Sequence, residues 1–193
     1  MRGAAALALL AACGASHGNE PDVAASEEAR HPLAAALKPL GFFTQFGVAN
    51  EVTAGTAGVT WSLGRDSLRQ PWSVYLEASA SRWQSRGGYA SDHGVLTQIA
   101  LIPVLRYNFD KGSSPWFVEG GVGATVTSSI YRNTDKHFST AFNFGDHVGV
   151  GYAFGSARND EIALRAEHFS NAGIKHPNPG QNFIELRYTH HFR

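Results

Sequence analysis

The sequence is poor in cysteine, in charge and in long apolar runs. Cys13 is the single cysteine among 193 residues, so no disulfide can form within the chain. Charged residues make up 17% of the chain and the formal net charge is zero, whereas soluble domains average roughly 25% charged residues. A neutral chain lacks the electrostatic attraction that nucleic-acid binding needs, so we expect no nucleic-acid partner. No apolar run reaches the roughly 20 residues of a membrane-spanning helix, so no such helix is predicted.

The N-terminal residues have the layout of a targeting segment. Residues 1–18, MRGAAALALLAACGASHG, combine one arginine, a short Ala/Leu run and small residues, which predicts a secretory signal peptide. The sequence LAAC is also similar to a lipoprotein cleavage box, so Cys13 is either lipidated or removed with the signal. Residues 19–40 carry acidic residues first and then a short Ala/Leu segment closed by Pro39, which is typical of a mobile leader or a short periplasmic helix.

Residues 41–193 alternate aromatic, β-branched and glycine residues between turn clusters, which is typical of a sheet domain. Several of the eight candidate strands are longer than the average strand of about 5 to 6 residues and are long enough to cross a bilayer at a tilt. An even number of long strands favours an all-β fold, an eight-stranded antiparallel up-and-down transmembrane β-barrel. The predicted strands are 42–51, 56–64, 72–86, 93–109, 116–132, 141–155, 161–172 and 181–192.

Alternate residues of a strand face opposite sides of a sheet, so the pattern shows which side is apolar. In strand 161–172 the two faces are Ile162, Leu164 and Ala166 against Glu161, Arg165 and Glu167. A soluble ligand-carrying barrel would turn the apolar face inward, whereas a membrane barrel would turn it toward lipid. The links 87–92, 133–140 and 173–180 are somewhat longer on average than the links 65–71, 110–115 and 156–160, as in outer-membrane barrels with long external loops. With the secretory signal, this predicts the outer membrane of a Gram-negative bacterium.

A histidine and a serine lie two residues apart near the end of strand 161–172. His168 and Ser170 share the parity of the apolar residues, so both are expected to face lipid. An imidazole at this spacing can act as a general base for a neighbouring hydroxyl, and Asn171 could donate an amide hydrogen bond to the oxyanion of an ester reaction. The alternative is that ordinary polar residues end a strand where it enters the headgroup layer.

The longer string HFSNAGIKHPNPG, together with FNFGDHVGVG and PWFVEGGVGA upstream, resembles the PagL-type lipid A 3-O-deacylases, which are eight-stranded outer-membrane barrels. The resemblance implies a serine esterase that removes the 3-hydroxyacyl chain at the 3 position of lipid A and needs no cofactor. It implies His168 as the base, Ser170 as the nucleophile and Asn171 as an oxyanion-side residue. Phe144 and Asp146 match further family positions near the site.

One position departs from that family, which has a Glu fourteen residues after the histidine where this chain has Asn182. Asn182 shares the parity of His168 and could fix an imidazole tautomer by hydrogen bonding, so we rank it first as the third member of the site. Asp146 ranks second, because a simple hairpin register brings it level with His168 and it carries charge. Glu185 ranks third, because its parity turns it into the lumen, where we expect it to pair with Arg165 or Arg187.

We therefore expect the chain to act on lipid A, or lipopolysaccharide, that arrives laterally in the outer leaflet. Other hypotheses are a non-catalytic lipopolysaccharide-binding or structural barrel that has lost the acid, a lipid A acyltransferase, and a soluble barrel. Whether the chain forms a homodimer stays open. His190 and His191 are adjacent on a strand and point to opposite faces, so no metal site is predicted there.

Overall fold

The computed structural model describes residues 38–63, 70–85 and 95–192. The predicted signal peptide, and the leader up to residue 37, lie outside the described residues. Each strand is antiparallel to its neighbours and β1 pairs with β8, which confirms the predicted closed eight-stranded barrel. The strands are β1 Gly41–Ala49, β2 Val52–Ser62, β3 Trp72–Ser85, β4 Val95–Asn108, β5 Trp116–Thr127, β6 Phe142–Phe154, β7 Asp160–Ser170 and β8 Gln181–His191. The described ranges contain no helix with the length and apolar character needed to cross a membrane.

Two strand boundaries differ clearly from the sequence-based prediction. β2 begins at Val52 instead of residue 56, because β1 and β2 are joined by the two residues 50–51 and pair from Ala49↔Val52 onward. β5 ends at Thr127 instead of residue 132, because the Thr127 hydroxyl and backbone N–H both donate to the carbonyl of Ala141 and close the link there. The link 128–141 is therefore longer than expected. The other predicted ends lie within two residues of the observed ones.

The outer wall of the barrel is apolar. In β7 and β8, Ile162, Leu164, Ile184 and Leu186 are exposed, and Glu161, Arg165, Glu185 and Arg187 are buried in the lumen. The same alternation in β3 exposes Val74 and buries Tyr75 and Glu77. A soluble ligand-carrying barrel has the opposite arrangement, with its apolar face inward. The exposed apolar band and the polar interior are those of an outer-membrane barrel.

Buried ion pairs fill the lumen. Arg106 bridges Glu119 and Glu161 at 2.8 and 2.7 Å, and Arg165 contacts Glu119 and Glu77. Arg106 and Arg165 thus have two carboxylates each to compensate their burial, which a buried charge requires.

The lumen also corrects one expectation about Glu185. Its carboxylate accepts a hydrogen bond from Gln45, whose amide also donates to Glu167 at 3.2 Å. Arg165 and Arg187 both contact Glu77 instead. The expected pairing of Glu185 with an arginine is therefore wrong, because the two arginines contact carboxylates on β3 and β5 instead.

An aromatic cluster closes one end of the lumen, which we call the upper end; it is the end where the links 50–51, 128–141 and 171–180 lie. Trp83 lies at its centre, with ring centroids 5.4 Å from Tyr131, 5.0 Å from Phe169 and 4.8 Å from Phe183. Burial raises the pKa of Tyr131, a residue of the link 128–141, to about 12. Phe169 lies between His168 and Ser170 in sequence, so this cluster holds the inner face of β7 where its outer face carries those two residues.

Candidate active site

Three polar residues form a row across the outer wall in the upper half of the barrel. The β6–β7 register places Asp146 opposite His168, and the β7–β8 register places His168 opposite Asn182. All three lie on the apolar outer face, because each shares the parity of the exposed residues of its own strand. The barrel closure thus brings residues from three strands side by side.

The imidazole of His168 is hydrogen-bonded to Asn182, with 2.5 Å between Nδ1 and Oδ1. An amide oxygen can only accept, so Nδ1 carries the proton and donates it to this bond. In the neutral form of a ring with this tautomer, the other nitrogen, Nε2, has a free lone pair and can accept a proton. His168 is half-buried and Asn182 is exposed on the wall. This geometry would allow the ring to act as an oriented general base.

Ser170 lies two residues beyond His168 toward the upper end, on the same outer face of β7. It is half-buried and stands opposite Phe144 in the β6–β7 register. Phe144 packs against Phe142 at 5.3 Å between ring centroids, so an aromatic pair flanks the hydroxyl. Residues two apart on a strand have Cα atoms about 7 Å apart, and rotation of the two side chains brings a hydroxyl and an imidazole nitrogen within reach of each other. In unliganded sites such hydrogen bonds are often formed only with substrate.

Asp146 stands on the other side of His168 from Asn182. It is exposed, and directly opposed residues of antiparallel strands have Cβ atoms about 5 Å apart. Its carboxylate is therefore close enough to interact electrostatically with the imidazole. The site combines a neutral hydrogen-bond acceptor on β8 with a negative charge on β6.

The sequence suggested Asn171 as an oxyanion-side residue, but its side chain does not lie on the outer face with Ser170. Its side chain is buried, and its Nδ2 lies within hydrogen-bond distance of three acceptors, Ser139 Oγ at 3.0 Å, Thr140 Oγ1 at 3.1 Å and the Lys175 carbonyl at 2.8 Å. Its backbone N–H also donates, to Asn178 Oδ1. Strand alternation turns the side chain away from the face that carries Ser170. Asn171 fixes the link 171–180, and its N–H groups are used in these contacts.

Gly180 contacts the imidazole and was missed by the sequence reasoning, which assigned it to a turn. It is buried with φ of +66°, and a Cβ atom at this position would lie 2.6 Å from Cε1 of His168. The backbone of Gly180 therefore forms a wall against the edge of the ring. The sequence signal that could have found it is the glycine directly before β8, where a left-handed conformation and a close approach both exclude a side chain.

The row lies in an apolar groove that opens on the outer wall. The groove has a volume of about 520 Å³, and besides the row its outward-facing lining consists of Val48, Val148, Ala166 and Ile184. Val148, Ala166 and Ile184 also line a second, larger depression of about 850 Å³ that continues down the wall past Gly120 and Leu164. Gly120, Val148, Ala166 and Ile184 form one row across four strands, and the small residues in it lower the surface there. An extended apolar chain fits such a path.

The arrangement can carry out acyl transfer from an ester whose acyl chain lies on the barrel wall. It offers a base with a defined tautomer, a hydroxyl on the same face, a nearby negative charge and an apolar groove. Within the described ranges no group of three or more His, Cys, Asp or Glu side chains could hold a metal ion.

The chain is similar to known proteins along most of the barrel. The model of the lipid A 3-O-deacylase (PagL) family matches residues 51–191. The lipid A deacylase PagL of Bordetella bronchiseptica is 40% identical over 116 residues, which cover 60% of this chain and 61% of that protein, less than two thirds of its length. The lipid A deacylase PagL of Pseudomonas aeruginosa is 31% identical over 143 residues, which cover 69% of this chain and 79% of that protein.

Solved structures share the fold. The crystal structure of the outer membrane enzyme PagL superimposes with a TM-score of 0.62 and 24% identity, covering 77% of this chain and 97% of that one. The N-terminal β-barrel domain of Pseudomonas aeruginosa OprF superimposes with a TM-score of 0.55 and 11% identity, covering 80% of this chain and all of that one. At these identities the likeness concerns the barrel alone.

Proposed function

The chain belongs to the lipid A 3-O-deacylase (PagL) family, and from this premise we propose that it is an outer-membrane serine esterase that hydrolyses the ester-linked 3-hydroxyacyl chain at the 3 position of lipid A. The observation that carries the proposal is the hydrogen bond from His168 to Asn182 on the lipid-facing wall, with Ser170 on the same face. A lumenal site would not be open to a membrane lipid, whereas a site on the wall meets its substrate within the bilayer.

The position of the site supports a substrate that stays in its leaflet. In the proposed orientation the upper end faces the cell exterior, so the row of Asp146, His168 and Asn182 lies where acyl chains meet the sugar headgroup. The scissile acyl chain follows the apolar groove down the wall over Val148 and Ala166. Burial of this chain positions the ester without a cofactor, because bound geometry supplies much of the rate advantage of such reactions.

In the proposed reaction, Ser170 Oγ attacks the ester carbonyl while His168 Nε2 takes the hydroxyl proton. The tetrahedral intermediate collapses, the bond to the sugar oxygen breaks, and His168 returns the proton to that oxygen. Water, deprotonated by the same Nε2, then hydrolyses the acyl-serine and releases the 3-hydroxy fatty acid with the Ser170 hydroxyl restored. Asn182 keeps the ring in the tautomer that both steps need.

Asn182 and Asp146 divide the work that one carboxylate does in a Ser-His-Asp triad. Asn182 fixes the ring and its tautomer but adds no negative charge. Asp146, opposite His168 on β6, supplies the charge that stabilises the imidazolium formed during attack. In this proposal Phe144 shields the Ser170 hydroxyl from water, and Asn171 holds the link 171–180 in place.

The test is the mass of lipid A from cells that produce the wild type, Ser170→Ala or His168→Ala. The wild type should convert lipid A to a species lighter by one 3-hydroxyacyl group, and either variant should leave it unconverted. Ser156→Ala, in the exposed link between β6 and β7, is the matched control and should behave as wild type. Deacylation by Ser170→Ala at the wild-type level would refute the assignment of the nucleophile.

A second function is favoured by one observation, the Asn at position 182 where the family has a Glu. A barrel that lost its acid could bind lipopolysaccharide without cleaving it. Purified wild-type protein that leaves lipid A unchanged while retaining it in micelles would support this alternative, and release of the fatty acid would exclude it.

A further inference from the structure

The link between β5 and β6 reaches the site through one lysine. The side chain of Lys136 crosses to the link 171–180, where its Nζ donates to the carbonyl oxygen of Gly180 at 2.7 Å. This contact joins residues 44 positions apart in sequence. It also ends on the glycine whose backbone lies against the His168 ring.

The backbone that carries Lys136 is itself held. The Asn133 side-chain oxygen accepts hydrogen bonds from the N–H groups of Asp135 and Lys136, and the Asn133 N–H donates to the Lys136 carbonyl at 2.8 Å. Asn133 Nδ2 donates to the hydroxyl of Tyr131, which packs edge-on against Trp83. The turn 133–136 is thereby anchored to the aromatic cluster, so the ammonium has a defined place from which to hold Gly180.

The ring of His168 is confined by two contacts. Asn182 holds Nδ1, and the Gly180 backbone lies beside Cε1, so close that an added Cβ would be 2.6 Å from that atom. A movement of the Gly180 backbone away from the ring would allow the imidazole to turn about its hydrogen bond. The direction of Nε2 therefore depends on where Gly180 is held.

We infer that Lys136 is a positioning residue for His168: by binding the Gly180 carbonyl, it keeps the Gly180 backbone against the imidazole and so limits the directions that Nε2 can take. The inference rests on the proposed esterase function. At the other end of the link 171–180, Asn171 is hydrogen-bonded to Ser139 and Thr140, so the β5–β6 link contacts this segment at both ends. Of these contacts, the hydrogen bond from Lys136 is the nearest to the reacting atoms.

The kinetic test compares Lys136→Met, which keeps the length of the stem but removes the donor, with Lys136→Arg, which keeps a donor. With full-length protein in detergent micelles and purified lipid A, Lys136→Met should lower kcat roughly 10- to 100-fold with KM within about twofold, since small misplacement of a reacting group costs rates of this order. Lys136→Arg should recover most of the loss. Lys175→Met, an exposed cation of the facing link, is the matched control and should leave both constants unchanged.

Two outcomes overturn the inference. If Lys136→Met raises KM and leaves kcat unchanged, Lys136 binds the substrate phosphates instead of positioning His168. If Lys136→Met changes neither constant, the contact of Lys136 with Gly180 has no role in catalysis. Gly180→Ala is the second variant, because its methyl group displaces the ring while Lys136 stays; it should lower kcat with KM unchanged.

A spectroscopic readout separates this inference from the function on which it rests. In 15N spectra of the histidine side chains, with His168→Ala to identify the signals, the wild type should show a single Nδ1-protonated tautomer for His168. Lys136→Met should keep this tautomer, because Asn182 is unchanged, but should broaden or shift the His168 ring signals because the ring takes several orientations. If the wild type does not deacylate lipid A, the esterase proposal fails, but these spectra still decide whether Lys136 orders the ring. An unchanged His168 signal in Lys136→Met refutes the positioning role of Lys136.

Discussion

Replacing Asn182 by Ala removes the acceptor that holds the Nδ1–H of His168. A hydrogen bond contributes about 0.5 to 1.5 kcal/mol between neutral groups and up to about 3 kcal/mol where one partner is charged, as the imidazole is during attack. At about 1.36 kcal/mol for each factor of ten in rate, a loss of about 1 to 3 kcal/mol lowers kcat roughly 5- to 150-fold. KM should change little, because Asn182 contacts the base in this proposal and not the ester.

Asn182→Glu is the opposite perturbation at the same position. Charge-assisted hydrogen bonds are roughly twice as strong as neutral ones, so the carboxylate should add about 1 kcal/mol and raise kcat roughly fivefold. The exposed position on the wall leaves room for the additional methylene group.

The assay is the initial rate of 3-hydroxy fatty acid release from purified lipid A in detergent micelles. Asn50→Ala, in the exposed β1–β2 turn, controls for the loss of an asparagine at the same end of the barrel. A kcat for Asn182→Ala equal to that of the wild type, or a slower Asn182→Glu, would refute the orienting role of this residue.

Three further changes test other parts of the molecule. Asp146→Asn should lower kcat roughly 5- to 30-fold, because a charge about 5 Å from the imidazole near a protein surface contributes about 1 to 2 kcal/mol after screening. An unchanged rate of fatty-acid release would exclude Asp146 as the charge of the site. Trp83→Ala should lower the free energy of unfolding in urea by about 3 to 5 kcal/mol because it empties the centre of the aromatic cluster, whereas the exposed Trp116→Ala should cost much less. Arg165→Met should lower the free energy of unfolding by about 3 to 5 kcal/mol in the same urea titration, because it removes one partner from each of two buried carboxylates. A stability equal to that of the wild type would contradict the role assigned to these ion pairs.

Much of the fold could be predicted because β-strand alternation is a local property. Ile162, Leu164 and Ala166 share one face whatever their surroundings, so the sequence was enough to predict eight strands and to place His168 and Ser170 with the apolar residues. The start of β2 was wrong because residues 52–55, VTAG, also resemble a turn, and only their pairing with β1 makes them a strand. The end of β5 was wrong for a similar reason: the contacts of Thr127 with Ala141 lie across a link whose length the sequence does not specify.

The candidate site, like the fold, could be predicted in part from the sequence. Parity and hairpin register place Asp146, His168 and Asn182 in one row, which the sequence could indicate. Parity also separates Asn171 from that face, yet its set of partners in the two links appears only in three dimensions.

By itself the sequence determined the strands, their alternating apolar and polar faces and the face that the histidine and the serine share, because all three follow from a period of two along each strand. Tertiary structure decided which neighbour orients the imidazole, and it brought Gly180 and Lys136 to the ring from two links that are distant in sequence. The physical reason is that the alternation of inward and outward side chains is a local property of each strand. The hydrogen bonds between two links depend instead on how far apart the closed barrel holds those links.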